Sequence, residues 1–87
     1  MQEITKNEME FVLNIFKNPK VEFNSNSMAK KLGISGPGAF KIAKRLEAER
    51  LLSSRELGKA NFLRLNLDDD YVKQYAKFLL KREARNA

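Results

Sequence analysis

The sequence predicts a mainly α-helical fold carrying one small β-hairpin, ordered helix, short strand, helix, helix, hairpin, helix. Three observations predict it. Apolar residues recur at helical spacing in four separate stretches, each opened by a capping residue. Two short apolar runs flank a Gly-containing turn at Gly58-Lys59-Ala60-Asn61. A Gly33-centred break joins the second and third helical stretches with almost no linker.

Thr5-Lys6-Asn7-Glu8 has the spacing of a capping box, and Ile4 is placed to staple the start of the first helix. Met9, Val12, Leu13 and Phe16 give it an apolar face, and Asn18-Pro19 stops it. Val21-Glu22-Phe23 alternates like a short edge strand. Asn24-Ser25-Asn26-Ser27 offers several caps for a short helix from Met28 to Leu32. Gly33 suits a left-handed closure. Ser35 then caps a third helix, from about Gly36 to Glu49, with Pro37 in the first turn, where a missing N–H costs nothing. Its inward face is Ala39, Ile42, Ala43 and Leu46. Leu51 to Leu57 and Phe62 to Leu67 read as the two strands of the hairpin. Asp68-Asp69-Asp70 puts acid at the start of a last helix reaching about Arg85, which suits its dipole. No repeat, low-complexity tract or internal linker interrupts the order, so residues 1–87 read as a single domain.

Composition narrows the function. The chain has 87 residues, 43% of them apolar, which suits one small core. Cysteine and histidine are both absent. That excludes disulfides and thiolate metal sites, and removes the commonest general base. No run approaches the ~20 apolar residues of a membrane span, and the N-terminus lacks the order of a signal peptide, so the expectation is a cytoplasmic protein. The net charge of +6 points to an anionic partner. It is unevenly spread: residues 1–23 carry −1, 24–50 carry +4, 51–67 carry +2 and 68–87 carry +1. The anion is therefore expected at the middle of the chain.

That middle holds the most informative motif, Met28-Ala29-Lys30-Lys31-Leu32-Gly33-Ile34-Ser35. Two helices crossing steeply through a tight turn need a small residue at the crossing, a glycine at the turn and an apolar plug after it. Ala29, Gly33 and Ile34 supply them. Ala39 and Ala43 let the next helix approach closely. Lys41, Lys44 and Arg45, with Pro37 and Ala48, fall on its opposite side at 100° per residue. Lys30 and Lys31 read as surface charge or phosphate contacts.

Ala29 to Ser35, with Ala39, Ala43, Leu46-Glu47 and Leu51-Leu52, resembles the winged helix-turn-helix of MarR- and ArsR-like transcription regulators. Gly58-Lys59-Ala60-Asn61-Phe62-Leu63-Arg64-Leu65-Asn66 resembles the wing and returning strand of that family. The resemblance covers roughly residues 9–67. It implies a double-stranded DNA-binding regulator whose third helix (about 36–49) enters the major groove and whose wing (about 55–64) meets backbone or minor groove. The implied DNA-binding residues are Ser35, Gly36, Pro37, Gly38, Phe40, Lys41, Lys44, Arg45, Arg55, Lys59 and Arg64. Three positions depart from the family pattern. Gly36-Pro37-Gly38 replaces polar side chains where bases are usually read. Phe40 stands where a small polar residue is typical, and either meets a thymine methyl or packs against the wing. Arg50 replaces the usual Gly before the first wing strand, which predicts the loss of a left-handed cap there.

The terminal helices carry apolar arcs of about 200°, wider than one buried stripe requires. This predicts a homodimer, with Phe11, Ile15, Tyr71, Tyr75, Phe78 and Leu79 at its interface and the last helix (about 69–85) as the dimerisation element. Tyr71 and Tyr75 are alternatively the lining of a ligand pocket or plain core. The same arcs keep open a winged-helix module used only for protein contact within a nucleic-acid-associated assembly. Single-strand or RNA binding would require an exposed aromatic platform, for which only Phe40 and Phe62 qualify. An enzyme finds no support: no catalytic residue, cofactor or metal site is implied. The three adjacent Asp are better explained as helix capping than as a cation site. The residues assign no small-molecule effector.

Overall fold

The computed structural model describes residues 5–86. Helix α1 (Lys6–Lys17) begins at the expected capping box. The Thr5 hydroxyl accepts from the Glu8 N–H at 3.3 Å, and the Glu8 carboxylate accepts from the Thr5 N–H at 3.1 Å. The staple expected from Ile4 lies outside the described residues.

Helix α2 (Ser25–Leu32) starts three residues before the expected Met28. Asn24 is the reason: its side chain accepts from the Ser27 N–H at 2.8 Å and the Ser27 hydroxyl accepts from the Asn24 N–H at 3.0 Å, a second reciprocal box. The strand expected at Val21–Phe23 would lie just ahead of this cap. Among the described residues the segment forms none. One ladder-like bond survives, from the Leu63 N–H to the Phe23 carbonyl at 2.7 Å, and Phe23 is buried while Val21 is exposed.

Helix α3 (Gly36–Ala48) follows after a three-residue turn. Gly33 takes φ +69°, and the N–H groups of Gly33 and Ile34 donate back to the carbonyls of Lys30 and Ala29. This is the Schellman closure that left-handed glycine permits. The end of α3 repeats it. Arg50 takes φ +62°, its N–H donates to the Glu47 carbonyl, and the Leu51 N–H donates to the Leu46 carbonyl. The expectation that replacing glycine removes this cap is therefore corrected: the cap forms with arginine. Asn66 holds it from outside, its amide donating to the Arg50 carbonyl at 2.6 Å and its backbone N–H to the Leu51 carbonyl.

Strands β1 (Leu52–Leu57) and β2 (Ala60–Leu65) pair antiparallel, Leu52 opposite Leu65 and Leu57 opposite Ala60. The turn is thus two residues, Gly58-Lys59, rather than four. Gly58 at φ +64° supplies the positive torsion that such a tight hairpin turn needs. Leu63 points into the core, together with Leu52 at the hairpin's base, and Phe62 lies half-buried on the other face opposite Arg55. Helix α4 (Asp70–Asn86) opens where Asp69 accepts from the Tyr71 N–H.

The core lies between the helices. Phe11, Val12 and Leu13 of α1 meet Met28 and Ala29 of α2, Ala39, Ala43 and Leu46 of α3, and Val72, Ala76 and Leu79 of α4. Helix α4 packs along α1, and α2 along α3. The outer flank of α3 and most of the hairpin stay outside this core.

Candidate nucleic-acid interface

One cap positions the start of α3. The Ser35 hydroxyl accepts from the Gly38 N–H at 3.0 Å. A Cβ on Gly38 would stand 2.8 Å from that oxygen, so the glycine is what gives the cap its space. The Gly-Pro-Gly opening is thus partly a packing requirement, and it leaves the first turn of α3 bare of long side chains. Ser35 is itself exposed and keeps a hydroxyl proton to donate.

From that turn onward the exposed flank of α3 is Pro37, Phe40, Lys41, Lys44 and Ala48. Phe40 is 54% exposed. The Lys44 Nζ lies 5.3 Å from the centre of its ring, within cation–π range. Phe40 also borders a small cleft, about 40 Å³, shared with Ser54, Asn61 and Leu63 of the hairpin. The ring therefore touches the edge of the wing without being enclosed by it. Glu47, one turn after Ala43 on the same helix, bridges this flank to the wing. It accepts from the Ser54 hydroxyl and sits 3.7 Å from Lys44.

Arg45 does not join this flank. Its Nη1 donates to Glu8 Oε1 at 2.9 Å. Glu8 is only 1% exposed. Its carboxylate meets two needs at once, the capping of α1 and the charge of Arg45. Sequence reading found the first of these roles and missed the second. The capping spacing located Glu8, but nothing in the sequence says that positions 8 and 45 meet.

On the hairpin, Arg64 Nη2 pairs with Glu22 Oε1 at 2.8 Å, across to the segment before α2. Arg55 and Lys59 are exposed, and among the described residues neither makes an ion pair. Lys41 is in the same condition. Of the six cationic residues expected to meet DNA, then, Lys41, Lys44, Arg55 and Lys59 stand outward, while Arg45 and Arg64 are held by carboxylates.

The expected dimer surface divides in the same way. Phe11, Ile15 and Leu79 pack into the chain's own core, and Leu79 also lines the groove between α1 and α4. The wide apolar arcs of the terminal helices are largely explained by this: α1 is covered on several sides. Tyr71 and Phe78, two turns apart on α4, are 62% and 59% exposed. Tyr75 is half-buried with its hydroxyl enclosed, and burial, then the neighbouring Glu8 charge, raises its pKa above the ordinary 10.0. A mostly apolar groove of about 460 Å³ runs between α1 and α4, lined in part by Met9, Leu13, Leu79 and Arg82; neither Tyr71 nor Tyr75 lines it. No helix among the described residues is long and apolar enough to cross a membrane.

No family model and no curated protein matches the sequence. Solved structures match the fold. AdcR, the adhesin competence repressor of Streptococcus pyogenes, superposes with a TM-score of 0.83 at 16% identity, over 98% of this chain and 61% of AdcR. A variant of Staphylococcus aureus MepR bound to an oligodeoxyribonucleotide matches with a TM-score of 0.74 at 13% identity, over 94% of this chain and 62% of the other. An Archaeoglobus fulgidus protein matches with a TM-score of 0.76 at 14% identity, over 95% of this chain and 91% of its own length. The chain thus spans about three fifths of AdcR and MepR. The likeness establishes the architecture expected from the sequence, a winged helix-turn-helix of four helices and one two-stranded hairpin.

Proposed function

We propose that this winged helix-turn-helix chain binds double-stranded DNA as a transcription regulator, with α3 in the major groove and the β1–β2 hairpin as the wing against backbone or minor groove. One observation carries the reading. The outward flank of α3 presents apolar and cationic groups only, next to a hairpin whose Arg55 and Lys59 make no ion pair among the described residues. Among those residues Lys41 likewise makes none, and Lys44 stays mostly exposed although Glu47 lies 3.7 Å away; cations so placed on one side of a convex helix suit the phosphate backbone, which is the main source of affinity for a duplex. The DNA-bound MepR variant supports the reading by sharing this fold.

The contacts follow from the geometry. Lys41 and Lys44 approach phosphates or guanine edges. The exposed Ser35 hydroxyl and the bare backbone of Gly36-Pro37-Gly38 let the start of α3 come close to the duplex. Lys59 leads the wing, with Arg55 behind it. Arg45 serves by fixing the orientation of α3 against α1. Arg64 fixes the hairpin against the segment before α2, and reaches DNA only by leaving Glu22.

The reading includes a homodimer, supported by Tyr71 and Phe78 standing outward on α4 beside the α1–α4 groove. Two-fold pairing would set two copies of α3 about one helical turn of DNA apart. Equilibrium ultracentrifugation at micromolar concentration tests it; a monomer mass there overturns this part alone.

The decisive experiment is a salt titration of binding to random-sequence duplex. Affinity is expected to fall steeply as salt rises, and less steeply in the Lys41→Ala/Lys44→Ala variant. Absence of binding at low salt would overturn the DNA reading. It would leave the exposed α4 face, and with it a protein-contact module, as the function to pursue.

A further inference from the structure

We infer that Phe40 is a specificity-determining residue, reading the 5-methyl group of thymine in the major groove, with Lys44 holding the ring in place. The inference rests on the DNA-binding reading above and says how that site would distinguish sequences.

The argument begins with what the flank of α3 lacks. Adenine is read by Asn or Gln, guanine most often by Arg, and cytosine by a carboxylate. Among Pro37, Phe40, Lys41, Lys44 and Ala48 none of these residue types occurs. The arginine of this helix is committed to Glu8 at 2.9 Å, and Glu47 is committed to Ser54 and Lys44. The two lysines are point charges without the planar fork of arginine, and serve phosphates as readily as guanine. The flank therefore has little hydrogen-bonding means of telling one base pair from another.

It does have one large apolar group. A phenyl ring standing 54% exposed on this otherwise cationic flank gives it an apolar surface with which to meet a partner. The wing does not enclose it, since Phe40 only borders the small cleft beside Ser54 and Asn61. Its neighbours leave it standing clear: Gly36, one turn earlier, has no side chain, and Pro37 is compact. The ring also lies in the N-terminal half of α3, the part of a recognition helix that meets base edges. In the major groove only thymine presents an apolar group, its C5-methyl. Lys44 supplies the second half of the device. With Nζ 5.3 Å from the ring centre, it limits the rotation of the ring and places a positive charge where the backbone runs beside the base.

The test works without a known operator. Duplexes bound by the full chain are selected from a random 30-base-pair pool (about the span of two half-sites). Each is then prepared twice, with thymine and with uracil, which differ only by the methyl group. The wild-type chain is expected to bind the uracil form about fourfold more weakly for each methyl it covers. Phe40→Ala is expected to bind both forms equally. Phe40→Leu, which keeps an apolar contact, is expected to retain part of the difference. Because Phe40 is largely exposed, thermal melts of these variants should match wild type and exclude misfolding as the cause. Equal wild-type affinity for the two forms, with a normal salt dependence, overturns the role of Phe40 and leaves DNA binding intact. An equal thymine preference in wild type and Phe40→Ala also overturns it, by assigning the effect to duplex shape. Failure to bind either form at low salt removes the DNA reading itself, and this inference with it.

Discussion

Lys41 and Arg45 are one turn apart on α3 and have opposite uses. Lys41 extends into solvent with no carboxylate beside it among the described residues. Arg45 turns to the inner side, where the buried Glu8 of α1 holds it at 2.9 Å. A count of charges along the chain treats them alike. Their environments do not: one cation is available to a partner, and the other joins two helices. The positive charge of the middle segment is therefore smaller, as a binding surface, than its sequence total.

The comparison is broken most severely at Arg45. Arg45→Ala would leave the Glu8 carboxylate buried with its cation removed. Breaking a buried pair from one side costs about 3 kcal/mol or more; the partly exposed guanidinium puts the expected loss near the lower end. Urea unfolding measures it, and a loss under about 0.5 kcal/mol would show the pair to be incidental. A triple variant that removes Lys41, Lys44 and Arg45 together thus confuses lost affinity with lost fold. The Lys41→Ala/Lys44→Ala double variant is the opposite case. Its stability should stay within about 0.5 kcal/mol of wild type. Its plot of log affinity against log salt should be shallower by about 1.8, near 0.9 for each phosphate contact removed. A double variant that melts early but keeps the wild-type slope would reverse the roles assigned to the two positions.

The two helix closures sharpen the same lesson on a smaller scale. Gly33 and Arg50 have nearly equal φ, +69° and +62°, and make the same pair of backward hydrogen bonds, but only one is glycine. A side chain in the left-handed region costs about 1 kcal/mol. Arg50→Gly is expected to raise stability by up to about 1 kcal/mol, and Gly33→Ala to lower it by a similar amount, both read from chemical denaturation. No gain at position 50 would mean that the bonds from Asn66 already offset the strain. The smallest expected effect is at Tyr75. Its pKa is raised by burial, so the stability contribution is fully present below pH 10 and lost as pH rises through the raised value. Tyr75→Phe should remove that alkaline loss. It should also gain up to about 1 kcal/mol near neutrality, by taking away an enclosed hydroxyl that has no partner among the described residues. Melting curves at pH 7 and pH 10.5 check both.

What the sequence made legible was local. The Thr5–Glu8 box, the Gly33 closure, the Ser35 cap and the hairpin turn depend on residues within about five positions of one another, and each formed where expected or within a few residues. The errors have local causes too. Asn24 nucleates α2 three residues early, and a two-residue turn replaces the longer one because Leu57 pairs with Ala60. The site was less legible because its composition is decided by pairs distant in sequence. Glu8 with Arg45 and Glu22 with Arg64 are separated by 37 and 42 positions, and no periodicity links them. The apolar arcs were legible only in part for the same reason. Their width was visible, but not that α1 is enclosed by the other helices, which places Phe11 and Ile15 inside the chain.

The hairpin is anchored at one end only. Leu52 and Leu63 are buried near its base and Phe23 ties down one carbonyl bond there, whereas the outer residues of β1 are exposed. Beyond Leu63 and its partner Ser54 each strand runs three more residues, an arm of roughly 10 Å at about 3.3 Å each. Such an arm is a lever: a tilt of about 10° at its fulcrum carries the tip through roughly 2 Å. The hinge stiffness at Leu52 and Leu63, more than the chemistry of Lys59, would then govern how wide a range of groove shapes the tip can follow.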